Sequence, residues 1–157
     1  MKSRASEYET RVARVCNRLN AEGARYLVVG ATAMQLWGTT RATRDVDILI
    51  EPTEDNAARV LRALAGLGFG LASEHLAKDV ATHAVTMIGD NPNVDILTRA
   101  WNVSWTDAAP RATTFQIEGV DVPTASIDDL IESKRTGRLQ DAADIEVLEE
   151  IRRLRGG

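Results

Sequence analysis

Val12, Val15, Cys16 and Leu19 recur three and four residues apart, the spacing that lines one face of a helix. The pattern predicts a helix over about residues 5–22, with Gly23 as its stop. "RYLVVG" follows, a short apolar run rich in β-branched and aromatic residues, and reads as a strand. "ATAMQLWG" then reads as a short helix ended by Gly38, "TTRATR" as a polar loop, and "DVDILI" as a second strand. Thr53 is placed to cap a third helix whose buried face is Ala57, Val60, Leu61 and Leu64. Gly66, Gly68 and Gly70 end it.

Residues 71–81 fit a strand or a short helix equally. "HAVTMIG" and "VDILT" read as strands around the turn "DNPN", and "NVSWTDAAP" as a short helix. "TTFQIEGVDVPT" reads as two strands joined at Glu118-Gly119. Ser126, three residues before Asp129, predicts a capped helix running to Lys134. Gly137 separates it from a last helix over about 139–153, with Ile145, Leu148, Ile151 and Leu154 on its core side. This order predicts an α+β fold: helices packed on a small mixed sheet. One domain over residues 1–157 is expected, with a core over about 24–125 and C-terminal helices over about 126–153.

Composition agrees with a globular chain, 44% hydrophobic and 27% charged. Cys16 is the only cysteine, which excludes a disulfide framework and a Cys-based zinc site. It favours a reducing, cytoplasmic setting. No apolar run approaches the roughly 18 residues of a membrane span, and the N-terminal stretch lacks a signal-peptide core. No membrane partner is therefore expected. The net charge of −4 argues against a general nucleic-acid coat, but the charge is uneven: +5 over residues 1–44, −6 over 45–98 and −3 over 99–157. An acidic centre with Arg41 and Arg44 before it, and Arg99, Lys134, Arg135 and Arg138 after it, suits a polyanion held through cations.

That acidic centre contains the oddest feature of the sequence. Asp45 and Asp47 stand two apart at the head of an apolar strand, so they share a face. Carboxylates so placed repel unless a cation sits between them. Magnesium is hard, prefers oxygen, and binds through one or two carboxylates plus substrate phosphates. A third carboxylate, Asp95, lies in "NVDIL", a segment of similar texture. If the two strands are neighbours, three carboxylates converge, enough for two metals and a phosphoryl transfer. "VVG" followed by "ATAMQL" adds a glycine turn into a helix start, where free N–H groups bind phosphate. The structural alternatives are an edge strand with one solvated face for Asp45 and Asp47, and a solvated helical face for Lys134, Arg138, Asp141 and Asp144. Trp101 and Trp105 stand four apart, as core residues or as a platform for a base. His75 and His83 have no partners at metal spacing.

The ordered set resembles the signature of the polymerase-beta nucleotidyltransferase superfamily: Gly30-Ala31, about a dozen residues, then Asp45-Val46-Asp47-Ile48. "RATRDVD", through Arg41, Thr43, Asp45 and Asp47, resembles its small bacterial members, as do Lys134, Arg138, Asp141 and Asp144 in the C-terminal stretch. Toxin components of toxin–antitoxin and abortive-infection systems are among the proteins so resembled. The resemblance implies two metal ions, magnesium or manganese, held by Asp45, Asp47 and Asp95. It implies transfer of a nucleotide from a nucleoside triphosphate to an acceptor hydroxyl on RNA such as tRNA, or on protein. Asp95 would help deprotonate that hydroxyl. Gly30, Ala31, Thr32, Arg41, Arg44, Lys134 and Arg138 would hold phosphate, with Thr43, Asp141 and Asp144 supporting. A cognate antitoxin or toxin would be the protein partner. The family usually carries Gly-Gly or Gly-Ser where this chain has Gly30-Ala31, so an N–H and the Thr32 oxygen stand in for a serine hydroxyl. An aminoglycoside-type small-molecule enzyme and a catalytically degenerate nucleotide- or partner-binding domain are the alternatives.

Overall fold

The computed structural model describes residues 4–40 and 43–156, with side chains from residue 10 onward. Seven α-helices are described: α1 (Arg4–Ala21), α2 (Gly30–Trp37), α3 (Glu54–Ala65), α4 (Ala77–Thr82), α5 (Trp105–Ala108), α6 (Ile127–Ser133) and α7 (Leu139–Leu154). Six strands join one sheet: β1 (Tyr26–Val29), β2 (Asp45–Ile50), β3 (Val85–Ile88), β4 (Asn93–Leu97), β5 (Thr113–Ile117) and β6 (Val120–Thr124), in the order β3-β4-β2-β1-β6-β5. The sheet is mixed. β2 runs parallel to β4 and β1 to β6, and the remaining pairs are antiparallel. The ambiguous stretch resolves as helical, a 3₁₀ turn at Leu71–Glu74 followed by α4.

Local chemistry sets the boundaries. The Thr53 side chain caps α3 by accepting the Asn56 N–H at 3.2 Å, and Ser126 caps α6 by accepting the Asp129 N–H at 3.1 Å. Glu118 and Gly119 both have positive φ, 51° and 79°, the combination that closes a two-residue hairpin with the twist of its strands. Leu148 is the buried anchor of α7, while Leu154 is 71% exposed and not a core residue.

Burial along the strands shows where the helices end. Every residue of β1 is buried, as a central strand covered on both sides requires. One helical group pairs α1 with α3; the other gathers α2, α6 and α7. In β3 the pattern alternates, with Val85 and Met87 exposed and Thr86 and Ile88 buried. The sheet is therefore open on one face at its β3–β4 end.

One buried polar side chain fixes the sheet's centre. The Asn56 amide donates to Arg25 O and to Glu51 O, both at 2.9 Å, and its oxygen accepts the Arg25 N–H at 2.7 Å. These bonds tie the start of β1 to the end of β2 and hold the register that places Val29 opposite Asp47. Asn56→Ala leaves these backbone groups unpaired in a dry setting, and is expected to cost about 3 kcal/mol. A urea titration reads this as a lower midpoint at unchanged slope.

Candidate active site

Asp47 and Asp95 are direct neighbours, paired in register across the parallel β2–β4 ladder. Their side chains are close enough to act on one another's protonation, and the effect falls on Asp47. Burial raises the Asp47 pKa from 3.8 to about 7; the Asp95 hydrogen bond, the Asp95 charge and the Asp45 charge push the same way. Asp45 sits one strand pair further along, opposite Asn93. It reaches Asp47 through its field, and among the described residues no three acidic, histidine or cysteine side chains form a ready metal cage. Two touching carboxylates with a third nearby still fit magnesium, which commonly takes one or two protein carboxylates and completes its shell with water and phosphate. The oxygen-only donor set and the raised Asp47 pKa mark a place where a cation would relieve the repulsion.

Gly30 closes the site from above. Its φ is +65°, and a Cβ built there would lie 2.6 Å from Asp47 Oδ2. Glycine is required twice over, for the backbone and for the space. α2 starts at this residue without a side-chain cap, which leaves its first turn facing the carboxylates as an anion-binding end. Ala31 stands in that first turn, half-buried. Thr32 plays a different part from the one expected of it. It is fully buried, and its hydroxyl donates to Asp45 O at 2.9 Å and accepts the Asp47 N–H at 3.4 Å. It stitches α2 to β2 instead of offering oxygen to a phosphate. At the other end of α2, Trp37 Nε1 donates to Ala125 O at 2.9 Å, so both ends of the helix are pinned.

The loop before β2 is held from α1, where Arg11 Nη2 donates to Thr43 O at 2.8 Å. The Thr43 hydroxyl accepts the Asp45 N–H at 3.3 Å, a supporting contact at the strand's entry. Arg44 is exposed and is not on the cleft wall. Arg41 lies outside the described residues.

The C-terminal helices supply the opposite wall. Lys134 Nζ lies 3.5 Å from Asp141 Oδ1 and 3.3 Å from Asp144 Oδ2, and Arg138 Nη2 lies 2.7 Å from Asp141 Oδ2. Asp141 is almost fully buried and also accepts from the Thr136 hydroxyl. These four charges therefore form one network that aims Lys134 and Arg138 at the cleft. A solvated helical face does not describe Lys134, Asp141 and Asp144, while the Arg138 side chain is 75% exposed.

The cleft encloses about 480 Å³, and Gly30, Asp47, Asp95, Lys134 and Arg138 all line it. Arg99, from the basic flank, and Trp101, one of the two residues that could be core or a platform for a base, line it too, with Val85, Leu97 and Ala100, which the sequence pattern had not linked to a site. Arg99 makes no hydrogen bond or ion pair among the described residues, although its charge is felt at Asp107. Trp101 and Trp105 do not share a helix: Trp101 sits in a turn and Trp105 begins α5. The available signal was the two-residue period of β4, which continued past Leu97 reaches Arg99 and Trp101.

The fold and this site define a nucleotidyltransferase-like protein. A crystal structure of an antigenic nucleotidyltransferase-like protein from Paracoccidioides brasiliensis superposes with a TM-score of 0.57 over 94% of this chain and 76% of that one, at 19% identity. The chain belongs to the family described as "Nucleotidyl transferase of unknown function", which matches residues 8–156. No curated protein matches it. Among the described residues no helix is long and apolar enough to cross a membrane.

Two outcomes follow for the metal-free protein. Gly30→Ala is expected to destabilise the fold by about 1–3 kcal/mol through its positive φ and the Asp47 contact, read as a lower thermal midpoint. The second concerns pH. The folded state keeps the Asp47 proton that the unfolded chain gives up near 3.8. Stability from this group is therefore full below that value and is lost as pH rises through about 7. Asp47→Asn is expected to flatten this fall, so the variant gains on the wild type between about pH 4 and pH 7 in parallel urea titrations.

Proposed function

We propose that the chain moves a nucleoside monophosphate from a nucleoside triphosphate to an acceptor hydroxyl, with magnesium, or manganese in its place, held at Asp47 and Asp95. The observation that carries the proposal is the in-register meeting of these two carboxylates beneath Gly30. The bound metal would supply charge neutralisation at the α-phosphate and its leaving oxygen. The chain's own residues do the rest. Asp45 adds negative field beside the pair. Lys134, Arg138 and the first turn of α2 face the triphosphate tail and orient it. Asp95 takes the proton of the attacking hydroxyl. The acceptor oxygen bonds to the α-phosphorus, the bond from that phosphorus to the bridging oxygen breaks, and pyrophosphate carries away the electron pair. Positioning and fixed charge supply most of the catalysis in this scheme.

The lining favours an anionic donor and gives little to a polycationic acceptor. Among the described residues Arg99, Lys134 and Arg138 are its cations, and Asp47 and Asp95 are its only acids. An aminoglycoside would need further carboxylates. RNA such as tRNA, or a protein hydroxyl, is the acceptor class we propose, in the setting of a toxin–antitoxin pair with a cognate partner protein and a cytoplasmic location.

Labelled triphosphates incubated with magnesium and either total RNA, a protein lysate or an aminoglycoside mixture test this directly. Label on RNA or protein is expected, with pyrophosphate released in equal amount. Asp47→Asn and Asp95→Asn are each expected to lower the rate about a thousandfold. Label on the drug alone favours the small-molecule enzyme, and nucleotide binding without pyrophosphate release favours a degenerate binding domain. Independently of activity, magnesium is expected to raise the thermal midpoint of the wild type but not of the Asp47→Asn, Asp95→Asn double variant.

A further inference from the structure

We infer that Trp101 is the wall on which the donor's nucleobase stacks, and that the cleft grips the base by its flat face instead of reading its edge. The inference rests on the nucleotide-transfer reading above and adds which part of the donor is recognised, and how. Its starting point is sheet order. The phosphate-facing groups, Gly30 and the Lys134–Arg138 network, lie on the β1 side of the carboxylates, while β4 and β3 extend on the other side. A triphosphate whose tail lies toward Gly30 therefore directs its other substituents over the β4–β3 end. The walls there are Val85, Leu97, Ala100 and Trp101, with Arg99 beside them.

Trp101 packs partly against the core, yet it combines three features that no other described residue has together: a place on the cleft wall, a positive φ and a buried indole N–H without a partner, the last of which Trp105 also has away from the cleft. Its φ is +47°, in the left-handed region that a bulky residue rarely enters. Its indole Nε1 is buried without a hydrogen-bond partner among the described residues. A phenylalanine or leucine would fill the same space without stranding a donor. The turn that imposes this conformation is closed by the Ala100–Val103 bridge, with N–H to O distances of 3.2 and 3.0 Å. Backbone strain and an unsatisfied polar group held at one aromatic residue on a cleft wall are the marks of a ligand contact. Among the described residues the lining around it has no amide side chain, and the Ser133 hydroxyl is committed to Leu130 O at 2.6 Å. Little is left to discriminate Watson–Crick edges. Every base has a face to stack, and the larger purines cover more of the indole.

Calorimetry in magnesium with ATP, GTP, CTP, UTP and base-free tripolyphosphate tests the inference on the wild type, Trp101→Phe and Trp101→Leu. The wild type is expected to bind all four nucleotides, purines a few-fold more tightly. Trp101→Leu is expected to weaken every nucleotide by about tenfold or more while leaving tripolyphosphate unchanged, and Trp101→Phe to recover most of the loss. Thermal melting of both variants confirms that they are folded. ATP binding unchanged in Trp101→Leu, equal loss for tripolyphosphate, or a hundredfold preference for one base overturns the inference and leaves nucleotide transfer standing. A wild type that binds none of the five overturns both.

Discussion

Two carboxyl side chains set side by side across a strand ladder, partly withdrawn from water, are the constraint around which this molecule is arranged. Asp47 and Asp95 meet because β2 and β4 run parallel and in register. Such a contact is unfavourable when both groups are ionised, and the protein accommodates it by holding a proton well above the ordinary carboxylate range. Stability alone gives no reason to build it. The pair opens on a cleft whose other walls carry Gly30, Lys134 and Arg138.

Those elements are pinned with care. Thr32 and Trp37 fasten the two ends of α2 to β2 and to the exit of β6. Gly30, at the helix start, presses so close to Asp47 that a methyl group would collide with its oxygen. Asn56 fixes the β1–β2 register from beneath the site. On the far wall, Asp141 and Asp144 hold Lys134 at the cleft, so that cations are brought toward the carboxylates by other carboxylates. The result is a rigid frame carrying alternating charge, suited to orienting a polyanion with little reorganisation.

The C-terminal helices therefore belong to the site as much as the sheet does. They are acidic, and their basic residues read as ordinary surface ion pairs at three-residue spacing, which Arg138 and Asp141 are in part. Burial changes the meaning. With Asp141 nearly sealed from water, the network is a bracket, and α6 and α7 cannot be regarded as a separate lid.

The order of helices and strands, their caps and the Glu118-Gly119 turn were legible in the sequence, because hydrophobic period, capping residues and turn chemistry act over a few neighbouring positions. The pairing of Asp45 with Asp47 on one face, and the need for glycine at position 30, were legible for the same reason. The sequence could nominate Asp95 but not seat it: 47 residues separate it from Asp47's neighbourhood in "DVDILI", and only the parallel register brings them together. Thr32, a phosphate candidate by position, became a backbone stitch because helix packing turned its hydroxyl inward. Trp101 looked like core by composition, and only the turn that bends it at positive φ set it on the cleft wall. Local rules fix what each segment becomes; which segments face one another depends on burying the whole sheet at once, and that is decided by the chain as a whole.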